Sequence, residues 1–175
     1  CIRDRVEWPE LAGSLLATTS GPTRVIPRLV VVGGGGIVEG LRAIDRTRPA
    51  DHRLVHRLAI EGMGITARLV ASTLGLPLVT RPIDRVAVLD MAGWLAADPC
   101  RADAIEASWS VTSDSLAALV AAAHACDLLL AKSVPPPQPL GAASLASLAA
   151  VGWVDGAFPV AARGVARIAW AAPAS

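Results

Sequence analysis

Lysine occurs once in this chain, at position 132, against fifteen arginines. It closes the apolar run LLLAK, which reads as a buried strand ending in a point charge. A compact ammonium suits a transferring phosphoryl group, whereas arginine favours planar, bidentate partners. Upstream, Thr112-Ser113-Asp114-Ser115 crowds three hydroxyls and a carboxylate ahead of an alanine-rich run. Two readings stand for that cluster. One is ordinary helix capping; the other is a carboxylate, Asp114, holding a cation or ammonium at the carboxyl edge of a parallel sheet, where ligands bind in open α/β folds. Four consecutive glycines, Gly33 to Gly36, follow the apolar run RLVVV. Glycines at a strand-to-helix junction let backbone N–H groups approach an anion, and a helix N-terminus adds a favourable partial charge. A tight turn between packed elements accounts for them equally well.

Other chemistries are excluded on spacing. The glycine run is not GxGxxG, because Glu39 stands where the last glycine belongs, so no dinucleotide fingerprint is present. Lys132 has no glycine loop before it, which removes a Walker A motif. His52 and His56 lie four apart on one helical face, but Arg, Leu and Val between them supply no HExxH base, which argues against zinc. GxSxG is absent. Cys1, Cys100 and Cys126 are odd in number and lack CxxC spacing, so neither a disulfide framework nor a thiolate metal site is indicated, and a reducing compartment is expected.

These residues need elements to position them. Trp8-Pro9-Glu10-Leu11 opens a short helix with Leu11, Leu15 and Leu16 on one face. Residues 24–32 run into a strand buried on both faces, and after the glycines a helix follows with Ile37, Val38, Leu41 and Ile44 apolar. A second helix spans about 51–74, with Leu54, Leu58, Ile65 and Leu69 as its apolar residues and a bend expected at Gly62 and Gly64. Strands are expected at 76–80 and 86–89, then a helical turn at 91–97 ended by Asp98-Pro99. Thr112-Ser113 caps a helix running through Cys126; a buried strand at 127–132, a stiff Pro135-Pro136-Pro137 loop, a helix at 142–150 and a strand at 165–171 complete the alternation. No linker interrupts it, so residues 1–175 are expected to form a single domain.

Composition narrows the class of protein. A net charge of +1 gives no basic stripe for nucleic acid. With 53% hydrophobic and 18% charged residues, the chain is not a disordered one. The N-terminal CIRDRVEWPE is no signal segment, and no 18-residue apolar window exists, so a soluble, cytoplasmic protein without membrane contact is expected. The apolar surplus points to a core plus a subunit interface in a homo-oligomer.

Three segments taken together, VVVGGGGIVEGLRAID, SWSVTSDSLAALVAAA and CDLLLAKSV, resemble the amino acid kinase family in order and spacing. The resemblance is strongest to its 5-(aminomethyl)-3-furanmethanol phosphate kinases of methanofuran-type cofactor synthesis. It extends to the WPEL helix, to VHRLA with His56 and to the late WVDGAFP segment, from Trp8 to about Pro159. The resemblance implies a three-layer α/β/α sandwich with a mostly parallel central sheet that binds ATP, Mg2+ and a small phosphorylated acceptor. It implies that Gly34, Gly35 and Gly36, with Ser113 and His56, contact the acceptor and the transferring group. Asp114 would act as orienting residue, Lys132 would neutralise the transferring phosphoryl, and Ser133 would lie near the nucleotide. No metal ligand is implied on the protein.

The family's members begin with a strand and a KxGGS loop that grips the β- and γ-phosphates. Here the corresponding stretch is Ile2-Arg3-Asp4-Arg5 and the lysine position falls before Cys1, so two alternatives stand: the chain is truncated, or the first strand and its phosphate loop are missing from the protein. After Lys132 the chain has VPPPQP in place of a VDG-type nucleotide loop. The resemblance, carried by the retained GGGG, TSDS and sole lysine, implies an ATP-dependent phosphotransferase. Its alternative is a catalytically degenerate binding or scaffolding subunit, self-associated or paired with an intact paralogue.

Overall fold

A computed structural model describes residues 28–132, 134 and 144–171 of the chain. The expected WPEL helix, the start of the first strand at 24–27, the Ile2–Arg5 stretch, Ser133, the polyproline loop and residues 142–143 lie outside the described residues. The rest forms a mixed α/β chain with short parallel strands, in two compact units that divide after Ala104.

Among the described residues, the first unit contains β1 (Leu29–Val30), followed by α1 (Gly35–Thr47) and α2 (His52–Leu74). It continues with β2 (Leu78–Val79), β3 (Ala87–Leu89), α3 (Met91–Ala96) and α4 (Pro99–Asp103). β3 is the middle strand of the sheet and pairs in parallel with both neighbours, Leu29 opposite Ala87 and Leu78 opposite Val88. All three of its residues are buried, as expected of a central parallel strand. Val32, Ala67, Val70, Ala71 and Val88 form the core between sheet and α2.

α2 departs from the sequence expectation in two ways. It runs without interruption through Gly62 and Gly64, where a bend was expected. A Cβ at Gly62 would sit 3.1 Å from Val38 and 3.2 Å from Ile37, so this glycine lets α1 approach closely instead of breaking the helix. The second departure concerns which face is buried. Leu54, Leu58, Ile65 and Leu69 remain 44%, 38%, 46% and 62% exposed, and the buried face carries Val55, Gly62, Met63, Gly64, Ala67, Val70 and Ala71. Small residues win the inward face because β3 and α1 press close on it. In α1, Ile44 is 64% exposed and Ile37 stays 43% exposed although its side chain reaches Gly62, while Val38 and Leu41 are half-buried.

Helix ends follow local chemistry. Asp51 caps α2 by accepting the Leu54 N–H at 2.9 Å, and Gly75, at φ 62°, ends it with Leu76 N–H donating to Ala71 O. Asp98-Pro99 does more than end α3: the Asp98 side chain caps α4, with Pro99 at its first position.

The second unit, from Ile105, contains α5 (Ser113–Ala123), β4 (Leu128–Ala131), α6 (Leu145–Ala150), α7 (Phe158–Ala161), a 3-10 turn (Ala162–Gly164) and β5 (Ile168–Ala171). β4 and β5 pair in parallel, Leu128 opposite Ile168 through Ala131 opposite Ala171. The strand expected to be buried alternates instead, with Leu128 and Leu130 buried and Leu129 48% exposed, because its sheet is covered on one face only at that point. α5 packs against α7 and the 3-10 turn and stops at Ala123, short of Cys126. Ala125 adopts φ 49°, and Cys126 N–H donates to Ala121 O at 2.8 Å, a left-handed termination made here without glycine. Ser144 caps α6 through the Ser147 N–H.

Candidate functional site

Lys132 directly follows β4, and its backbone is held in the ladder by an N–H donated to Ala171 O at 2.8 Å. α5 precedes β4 by a four-residue turn and runs back along it, so the helix N-terminus returns to the strand's carboxyl end. Asp114, in the first turn of α5, there accepts a hydrogen bond from Lys132 Nζ at 2.5 Å. The ion pair is nearly closed to solvent, with 10% of the lysine side chain and 5% of the aspartate side chain exposed. Lys132 Nζ also lies 5.5 Å from the ring centroid of Trp153, within range of a cation–π attraction. Asp114 also lies in the first turn of α5, at the positive end of the helix dipole, where a carboxylate is favourably placed.

The neighbouring hydroxyls have a different partner. Thr112 precedes α5 yet makes no capping bond with its own side chain. Asp155, carried on the Trp153-Val154-Asp155 segment between α6 and α7, takes that role. Its Oδ2 accepts the Thr112 hydroxyl at 2.7 Å, the Thr112 N–H at 3.0 Å and the Ser115 N–H at 3.0 Å. Its Oδ1 accepts the Ser115 hydroxyl and, at 3.1 Å, the Ala157 N–H. A carboxylate from elsewhere in the chain therefore satisfies backbone donors that the helix start leaves open.

Ser113 is buried beside Asp114 in the same turn, and Ser133 lies outside the described residues. The remaining expected site residues belong to the other unit. Gly34 and Gly35 form the start of α1, with Gly34 buried and Gly35 at φ 52°. A Cβ on Gly34 would collide with the Val38 side chain, and its carbonyl accepts the Thr66 hydroxyl at 3.2 Å. Gly36 is exposed in the first turn. His56 is half-buried in the second turn of α2, while His52 is exposed at its start. Among the described residues no group of three His, Cys, Asp or Glu side chains could hold a metal ion, and no helix is long and apolar enough to cross a membrane.

Asp155 is the site residue that reasoning from residue types missed. One signal was available: it lies in WVDGAFP, a segment whose resemblance was noted without assigning its aspartate a role. No protein-family model matches the chain, and no curated protein sequence matches it either.

Proposed function

We propose that the chain is an ATP-dependent phosphotransferase of the amino acid kinase type, acting on a small phosphorylated acceptor. The observation that carries this reading is the Lys132–Asp114 pair, a secluded ammonium at the carboxyl end of a parallel strand, oriented by a carboxylate at a helix N-terminus. An ammonium has three N–H donors. Asp114 takes one, and among the described residues no other hydrogen-bond acceptor is shown for Nζ, so phosphoryl oxygens fit this group. ATP supplies the phosphoryl group, with Mg2+ on its phosphates. Lys132 donates to the non-bridging oxygens as negative charge builds on them, and Asp114 holds Nζ in place. An acceptor that is already a phosphate monoester is anionic and needs no strong general base. In this reading the strands belong to a three-layer sandwich and Gly34, Gly35 and Gly36 serve the acceptor's phosphate.

A binding or scaffolding subunit is the second reading, and one observation favours it. Gly34 is required by Val38 and Gly35 by its backbone angle, so packing alone explains half of the glycine run. Phosphate transfer from ATP to a furanmethanol phosphate, measured for the wild type and Lys132→Ala, separates the two. Turnover abolished in the variant supports the kinase. Absence of turnover by the wild type, alone and mixed with an intact relative, supports the binding subunit.

The kinase reading includes a homo-oligomer, and the outward face of α2 supports it. The spacing of Leu54, Leu58, Ile65 and Leu69 is the same read in either direction. Two antiparallel copies would therefore set Leu54 against Leu69 and Leu58 against Ile65, the self-complementarity that a two-fold interface needs.

A further inference from the structure

We propose that the segment Trp153-Val154-Asp155 is the element that positions the Lys132–Asp114 pair, with Asp155 a positioning residue for the carboxylate and Trp153 one for the ammonium. The proposal rests on the reading of Lys132 as the phosphoryl-binding group, but the contacts behind it do not. Within three residues the segment reaches both partners. Asp155 accepts donors from Thr112 and Ser115, the residues on either side of Ser113-Asp114, which sets where the first turn of α5 begins and so where the Asp114 side chain points. Trp153 lies with its ring 5.5 Å from Lys132 Nζ, and its Nε1–H donates to Val134 O at 3.3 Å, two residues past the lysine.

The segment is itself well anchored. Trp153 and Val154 are buried, and both of their N–H groups donate to Leu148 O, at 3.0 and 3.4 Å. The Trp153 ring packs against Trp170 of β5 at 4.7 Å between centroids, and Phe158 meets the same Trp170 at 6.0 Å. A rigid aromatic base under one partner and a carboxylate gripping the helix that carries the other hold two groups that lie eighteen residues apart in sequence. Neither Trp153 nor Asp155 makes the ion pair. Each acts through its neighbour.

Because the chain has one lysine, the reactivity of its side-chain amine is read without ambiguity by acetic anhydride labelling and peptide mass mapping of the full chain. Asp114→Asn sets the rate for a lysine released from its partner. The proposal expects Asp155→Asn, folded by circular dichroism, to raise the labelling rate of Lys132 about tenfold, the scale of one charge-assisted hydrogen bond, and Trp153→Phe to raise it severalfold. Ala121→Gly loosens the same helix two turns from Asp114 and is expected to leave the rate at the wild-type value. Wild-type labelling of Lys132 in folded Asp155→Asn overturns the proposal, and so does an equal rise in Ala121→Gly, which would mark helix stability as the only factor. Should Asp155→Asn not fold, Thr112→Val removes one donor to the same oxygen, and an unchanged rate there overturns the proposal equally. Labelling needs no ATP, so a chain without kinase activity still tests it. Where turnover exists, Asp155→Asn lowers kcat by a similar factor and leaves KM unchanged.

Discussion

Asp155 accepts the backbone N–H of Ser115 at 3.0 Å across forty residues of chain, and so caps a helix whose own leading threonine does not. The cap ties the residues after α6 to the start of α5. Replacing Asp155 with alanine removes every hydrogen bond on that carboxylate and leaves the Ser115 hydroxyl, on a residue buried at 1% exposure, without its acceptor. Loss of a cap costs about 1 kcal/mol and an unmet buried hydroxyl about 1–3 kcal/mol, so Asp155→Ala is expected to destabilise the chain by about 3 kcal/mol in urea unfolding.

Lys132→Ala leaves Asp114 as a nearly buried charge without its counter-ion, for which about 3 kcal/mol of destabilisation is expected. The double variant Lys132→Met with Asp114→Leu removes both charges and is expected to be more stable than either single change. Chemical denaturation of the four proteins in a double-mutant cycle measures the coupling. Additive effects would show that the two groups do not act as a pair.

Backbone geometry gives opposite signs to simple exchanges. Gly34→Ala forces a Cβ into Val38, and Gly35→Ala places one at φ 52°, so both are expected to lower the melting temperature, Gly35→Ala by about 1 kcal/mol of stability. Gly40→Ala, inside α1 with open space around its Cα, is expected to add about 1 kcal/mol. Ala125→Gly relieves the left-handed turn after α5 and is expected to stabilise by about 1 kcal/mol.

Asp51 is held below its ordinary value of 3.8, chiefly by the Leu54 N–H it accepts. A carboxyl lowered by folding contributes stability that is fully present above its unfolded value and is lost as pH falls through the folded one. The difference in melting temperature between wild type and Asp51→Ala is therefore expected to be largest above pH 3.8 and to shrink below it.

Leu58→Lys on the outward face of α2 is expected to convert a homo-oligomer to monomer in light scattering, with helix content retained. An unchanged mass would remove α2 as the contact between copies.

Periodicity and caps act over a few residues, and so the α/β alternation, the start of α2 at Asp51 and its end at Leu74 were legible without coordinates. Residue type and position also singled out a strand-end lysine and a helix-start carboxylate as candidates, each by itself; that they form a pair is a tertiary finding. By sequence alone, then, the chain is determined as alternating helices and parallel strands with Lys132 and Asp114 at element ends. Only tertiary structure decided which face of α2 is buried, because the close approach of α1 and β3 selects small residues over large ones whatever their hydrophobicity. It also decided that Asp155, and not the Thr112 hydroxyl, caps α5. That bond spans forty residues, a separation at which spacing in the sequence carries no geometric information.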